Sequence, residues 1–168
     1  YRLLVSKAFH PAWVAALEPT IRRIARRLIY SWISLGSIEF VRDFAVPLPV
    51  EVIARTLNVP DRDLARFKEW SDATTSAIGT DITIEGLEAS ERSINEFQRY
   101  FAEQLEHRRH EPQDDLLTHL LNARIDEDDP DLVDADDRRP LDMAEMLRIL
   151  QQLLVAGNET TTSLLTDL

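Results

Sequence analysis

The chain has 168 residues, 44% of them hydrophobic, which is enough to bury one folded core. Thirty acidic against nineteen basic residues give a net charge of −11, which argues against a general nucleic-acid binder but leaves room for a local basic patch. There is no cysteine, hence no disulfide, thiolate metal site or nucleophilic thiol, and no run approaches the ~18 apolar residues of a membrane span.

The chain opens Tyr1-Arg2-Leu3-Leu4-Val5, without Met, and closes inside a helical pattern at Thr166-Asp167-Leu168, without a cap. It reads as a single incomplete domain, a piece of a longer protein, so a missing leader says nothing about targeting. Residues 1–9 read as the end of a basic, half-apolar helix carrying Arg2 and Lys7, punctuated by Pro11. Over 11–34, Val14, Leu17, Ile21, Ile24 and Leu28 fall at helical spacing. Arg22, Arg23, Arg26 and Arg27 occupy the other face as solvated charges, with a polyanion site as the minor alternative. Pro19 either begins this helix proper or kinks it.

Leu35-Gly36-Ser37 is a break, and residues 38–44 suit a short strand. Pro47-Leu48-Pro49 restarts the chain into a short apolar helix over 50–57, ended by Asn58-Val59-Pro60. Asp61 is placed to N-cap the next helix, whose Leu64, Phe67, Ser71, Thr74 and Ile78 share a face. Gly79-Thr80-Asp81 is a turn. A helix over 84–109 carries the stripe Leu87, Ile94, Phe97, Phe101 and Leu105 until Pro112 closes it. Asp114 or Asp115 caps a helix to about 124 with Leu117, Leu120 and Leu121 inward. Residues 126–139 form an acidic connector. As a calcium loop it fails, because Pro130 takes a ligand position and the central Gly is missing. The fold class is therefore all-α, with at most one short strand near 38–43.

The longest helical pattern, over 141–168, opens on an acidic capping box of Asp142 and Glu145. Its seam of Leu147, Leu150, Leu154, Gly157, Thr161, Leu164 and Leu168 is interrupted by a glycine and the run Thr160-Thr161-Thr162. Gly costs up to ~1 kcal/mol in a helix interior and each Thr about half that, so this helix gives up stability in its middle. Two readings compete. Either Gly157 lets a neighbouring helix pack close and the threonine hydroxyls bond back to carbonyls one turn earlier, or the helix is opened so that Thr160 and Glu159 can hold water and pass protons.

Other chemistry is ruled down. His107 and His110 stand three apart beside Glu103, Glu106 and Glu111, but no His-Glu-x-x-His or Glu-x-x-His accompanies them. No Gly-rich phosphate loop, Gly-x-Ser-x-Gly elbow or parallel-strand pattern is present.

Three stretches in one order carry a family resemblance. Ala156-Gly157-Asn158-Glu159-Thr160-Thr161 resembles the distal-helix motif (Ala/Gly)-Gly-x-(Asp/Glu)-Thr-(Thr/Ser) of the cytochrome P-450 haem-thiolate monooxygenases. The run from Arg2 to Pro11 is similar to their C helix and its exit. The run from Phe44 to Ile53, with Asn58-Val59-Pro60, resembles the E-helix entry and exit of the soluble bacterial members. The likeness covers the whole chain, from C helix to I helix.

The resemblance implies a haem b cofactor and a catalytic pair, Thr160 and Glu159. Thr160 would hydrogen-bond dioxygen and help deliver protons, and Glu159 would relay them from solvent. Arg2 would pair with a haem propionate, as a guanidinium fork suits a carboxylate. Ala156 and Gly157 would let the helix lie close over the haem. Residues 73–83 would form a substrate lid. Partners would be a small organic substrate, O₂ and a ferredoxin-type donor with its NAD(P)H reductase, the donor meeting Arg2 and Lys7. Neither nucleic acid nor membrane would be a partner, and the location would be the cytoplasm. The resemblance places the family's haem-ligating Cys and the Glu-x-x-Arg pair that fixes its core beyond Leu168, and its N-terminal β-rich part ahead of Tyr1; the chain itself has no Cys. The rival from another class is a non-catalytic helical ligand-binding or interaction module, which leaves the Gly157-x-Glu159-Thr160 interruption unexplained.

Overall fold

The computed structural model describes residues 11–76, 83–123 and 139–167. Among them the chain is helical and contains no β-strand. The helices are α1 (Pro11–Trp32), α2 (Pro47–Thr56), α3 (Leu64–Ser76), α4 (Ile84–His110), α5 (Leu116–Asn122) and α6 (Met143–Thr166). A π-helical turn (Val41–Ala45) precedes α2, and a 3-10 turn (Asp61–Asp63) precedes α3. The expected features at Arg2, Lys7, Ile78, the turn at 79–81, most of the acidic connector and Leu168 lie outside the described residues.

Two local expectations are overturned. The stretch expected as a strand over 38–44 is the π-helical turn, closed by the Val46 N–H on the Val41 carbonyl at 2.9 Å. The Glu39 carboxylate accepts from the N–H groups of Val41 and Arg42, at 3.3 and 2.6 Å. Phe40 and Phe44 stack at 5.5 Å between ring centroids, one helical turn apart. Satisfied first-turn donors and an i,i+4 ring pair favour this helical turn over a strand. Asp61 caps nothing by its side chain. It opens the 3-10 turn and pairs with Arg55 at 2.5 Å.

Other signals act where the sequence places them. Pro47 sits in the first turn of α2. Asn58 follows α2 with φ of 56°, the left-handed position that an asparagine tolerates after a helix end. Pro19 lies inside α1, which continues through it. Asp115 caps α5 through the Thr118 N–H. Asp142 and Glu145 form the full reciprocal box at the start of α6.

The core gathers Phe67 and Trp70 of α3, Phe97, Phe101 and Leu105 of α4, Leu117 and Leu120 of α5, and Met146, Leu150 and Leu154 of α6. Trp70 and its ring neighbours bind α3 to α4, and α2 packs across α6. Four apolar members of the expected stripes are exposed: Val14 at 49%, Ile21 at 37%, Leu87 at 51% and Leu164 at 65%.

Arg108 and Asp115, side chains 6% and 7% exposed, pair at 2.7 Å and tie α4 to the start of α5. Burial alone would push the Asp115 carboxyl up. Bonds from the Thr118 N–H, the Arg108 guanidinium and the Thr118 hydroxyl overcome this and hold it below the usual carboxylate range. The unfolded chain therefore binds that proton more readily than the folded one. The stabilisation is complete above about pH 4 and is lost as pH falls through the lower folded value. Urea unfolding followed across acid pH should show this limb. Asp115→Asn should flatten it and cost about 2 kcal/mol at neutral pH, because the buried guanidinium loses its charged partner.

Candidate active site

The motif of α6 divides between two sides of the helix. On the packed side Met146, Leu150, Leu154 and Asn158 recur every fourth residue and are all buried. On the other side Gln152, Ala156, Glu159, Thr160 and Ser163 are exposed. Ala156 and Thr160 are one turn apart, about 40° round the helix, so a methyl and a hydroxyl front the same space. Glu159 lies about 100° from Thr160. It has neither hydrogen-bond nor ion-pair partner among the described residues, so its carboxylate is free to move.

α6 runs without interruption from Met143 to Thr166, so the helix is not opened at this turn. The Thr160 hydroxyl donates to the Ala156 carbonyl at 2.6 Å, the back-bond that suits threonine within a helix. That bond occupies the hydroxyl proton and leaves the oxygen's lone pairs able to accept. Rotation about one bond turns the group into a donor toward the open side.

Gly157 faces the other way. A Cβ there would stand 2.8 Å from Cδ1 and 3.2 Å from Cγ1 of Ile53, so α2 lies too close for a larger residue without Ile53 shifting. Gly157 and Thr161 also border an apolar cavity of about 310 Å³ walled by α1, α2 and α6, with Leu17, Ile53 and Leu153 in its lining. Ala156 and Gly157 are adjacent in sequence and meet different neighbours. Arg2, the remaining expected cofactor residue, is outside the described part.

The polar bridge under the motif was not foreseen. The buried Asn158 amide donates to Ser71 of α3 at 2.9 Å. Thr162 reaches both the Asn158 side-chain oxygen, at 3.1 Å, and the Ala45 carbonyl, at 3.2 Å. A polar residue on the otherwise apolar stripe from Met146 to Leu154 is the one sequence feature that points to it.

The open side suits a flat, largely apolar group. Arg148, Gln151, Gln152, Val155 and Ala156 line an open hollow of about 540 Å³. No bulky side chain stands at 156 or 160; Val155 and Ala156 give the hollow its apolar floor, Arg148, Gln151 and Gln152 border it, and Thr160 stands one turn beyond its lining. Nothing among the described residues offers three His, Asp or Glu side chains to a bare metal ion. His107 and His110 instead lie 3.7 Å from the carboxylates of Glu111 and Glu106.

No family model matches the chain. Individual proteins do. It is 33% identical over 170 residues to a putative cytochrome P450, YjiB, of Bacillus subtilis, which spans 99% of this chain and 40% of that protein. It is 36% identical over 168 residues to the mycinamicin IV hydroxylase/epoxidase of Micromonospora griseorubida, over 99% of this chain and 38% of the relative. The solved structure of cytochrome P450 CYP109Q5 from Chondromyces apiculatus superposes with a TM-score of 0.78 at 41% identity, over 97% of this chain and 36% of that one. The chain belongs to the cytochrome P450 family.

The helical fold expected from that likeness is the fold observed. The chain spans about two fifths of the curated relatives it matches. As a P450 segment it supplies α6, the helix with the open face, together with the helices that hold it from behind. No helix among the described residues is long and apolar enough to cross a membrane.

Proposed function

We propose that this chain is the central helical part of a cytoplasmic, bacterial-type P450 monooxygenase. In the reaction one atom of O₂ enters a small organic substrate and the other leaves as water, consuming two electrons and two protons. The observation that carries this reading is the sharing of one open side of α6 by Ala156, Glu159 and Thr160, while the helix is buried behind them. Similarity to a hydroxylase/epoxidase supports an enzyme over a non-catalytic helical module.

A haem b would supply the electron-rich iron that promotes O–O cleavage, and as this chain has no cysteine its thiolate would come from elsewhere in the protein. Ala156 keeps the approach to the haem face clear. Gly157 sets the depth of α6 by letting Ile53 come close. Thr160 holds a proton-bearing hydroxyl at the open side, shared in the resting arrangement with the Ala156 carbonyl. Glu159, exposed on the adjacent part of that side, would pass protons from solvent to that hydroxyl. By the family resemblance, Arg2 would hold a haem propionate, and Arg2 with Lys7 would meet a ferredoxin-type donor served by an NAD(P)H reductase.

The carbon-monoxide difference spectrum of the reduced full-length protein tests this directly. The red-shifted band of a thiolate-ligated haem is the expected result. A spectrum lacking that band in haem-loaded protein would overturn it.

A further inference from the structure

Asn158 occupies the fourth step of a stripe that is otherwise Met146, Leu150 and Leu154, where an apolar side chain would fill the space without directional demands. It is 6% exposed and Ser71 is 1% exposed, so neither finds water, and each depends on the other's hydrogen bond. The two residues are 87 positions apart. Thr162 adds a third strut, its one proton going either to Asn158 or to the Ala45 carbonyl, 117 positions away. Ser71 itself is firmly based: its neighbour Trp70 is 1% exposed and donates its ring N–H to Glu96 of α4.

We propose that Asn158 is a positioning residue whose bond to Ser71 fixes the rotation of α6, and with it the direction in which Thr160 and Glu159 point. The inference rests on the monooxygenase reading above and adds a role for a residue which that reading leaves unused. At about 100° per residue, Ala156 and Thr160 lie on nearly the opposite side of the helix from Asn158. A purely apolar seam lets a helix roll, whereas a buried directional pair selects one register. A roll of about 20° would carry a side chain about 5 Å from the helix axis by nearly 2 Å. Hydrogen-bond distances tolerate only a few tenths of an ångström, and a misplacement of ~1 Å can cost about a hundredfold in rate.

The test uses the full-length, haem-loaded protein with Ser71→Ala, Asn158→Leu, the double variant and Thr160→Ala. The readouts are the fraction of consumed electrons recovered in product, the amide hydrogen exchange of residues 156–162, and the thermal midpoint. Ser71→Ala and Asn158→Leu should each lower the coupled fraction about threefold or more and speed exchange over 156–162. The double variant should be no worse than Asn158→Leu alone, since both remove one bond. If the midpoint falls while coupling and local exchange stay as in the unaltered protein, Asn158 only packs the core and the inference is wrong. Should Asn158→Leu fail to fold, Ser71→Ala, which loses a single hydroxyl, decides alone. Uncoupling by Thr160→Ala with silent Ser71 and Asn158 variants overturns this inference and spares the monooxygenase reading. Unchanged coupling in Thr160→Ala removes Thr160 from the chemistry and this inference with it, whereas a full-length protein that forms no oxygenated product overturns the monooxygenase reading.

Discussion

Thr160→Ala in the full-length protein should keep drawing electrons while product per electron falls about tenfold and hydrogen peroxide accumulates. The fold gives no reason for any other loss. Thr160 is exposed, and its one hydrogen bond runs to the carbonyl of its own helix at Ala156. Alanine is the better helix former by roughly half a kcal/mol, so the variant should be slightly more stable than the parent. A residue that weakens its helix and meets no other element among the described residues is expected to have its use on the open side, a stability given up for function. In chemical terms, O₂ that receives two electrons and two protons without O–O cleavage leaves as peroxide. The hydroxyl at 160 is the group placed to direct those protons. Simultaneous measurement of reductant consumption, product and peroxide checks the split, and unchanged ratios would remove Thr160 from the chemistry.

Trp70→Ala should destabilise the same protein by about 4 kcal/mol, seen as a lower urea midpoint. Trp70 is 1% exposed. Its ring centroid lies 5.8 Å from Phe97, 5.1 Å from Tyr100, 6.3 Å from Phe67 and 6.5 Å from Phe101. The Arg66 guanidinium covers it at 5.0 Å, and its N–H bonds Glu96 at 3.3 Å. Truncation leaves a cavity among rings that cannot collapse independently, because they belong to α3 and α4 together. It also removes one of the bonds that hold Glu96 below the usual carboxylate range, after the larger contribution of Arg66. Tyr30→Ala, at a site 70% exposed, should change stability by less than about 0.5 kcal/mol.

The helices were legible because their signals are local. Period, capping box and proline or asparagine punctuation all act within one or two turns, and Asp142 with Glu145 is the plainest case. The strand expected near 38–44 failed for the same reason turned round: β-branched and aromatic residues at 38, 40, 41 and 44 say nothing about a carboxylate at Glu39 that satisfies helical N–H groups. On α6 the sequence could say that Gly157 and the threonines break a seam, but not which neighbour each meets. The structure gives Gly157 to Ile53 and leaves Ala156 and Thr160 open. The Asn158–Ser71 bond was invisible because no local pattern links positions 87 residues apart. Ser71 had been counted only as one member of an inward stripe.

The central claim is that the haem lies against the open side of α6 at Ala156. The most direct measurement is the rate of carbon-monoxide binding to the reduced full-length protein carrying Ala156→Phe, with Glu88→Phe, exposed on α4 and away from the hollow, as the control. Ala156 is exposed, so nothing among the described residues opposes the larger ring and the fold should hold. Binding slowed about tenfold or more by Ala156→Phe alone is the result expected from a phenyl ring standing in the gas path. Carbon monoxide binding as fast as in the unaltered protein would place the haem elsewhere and contradict the account.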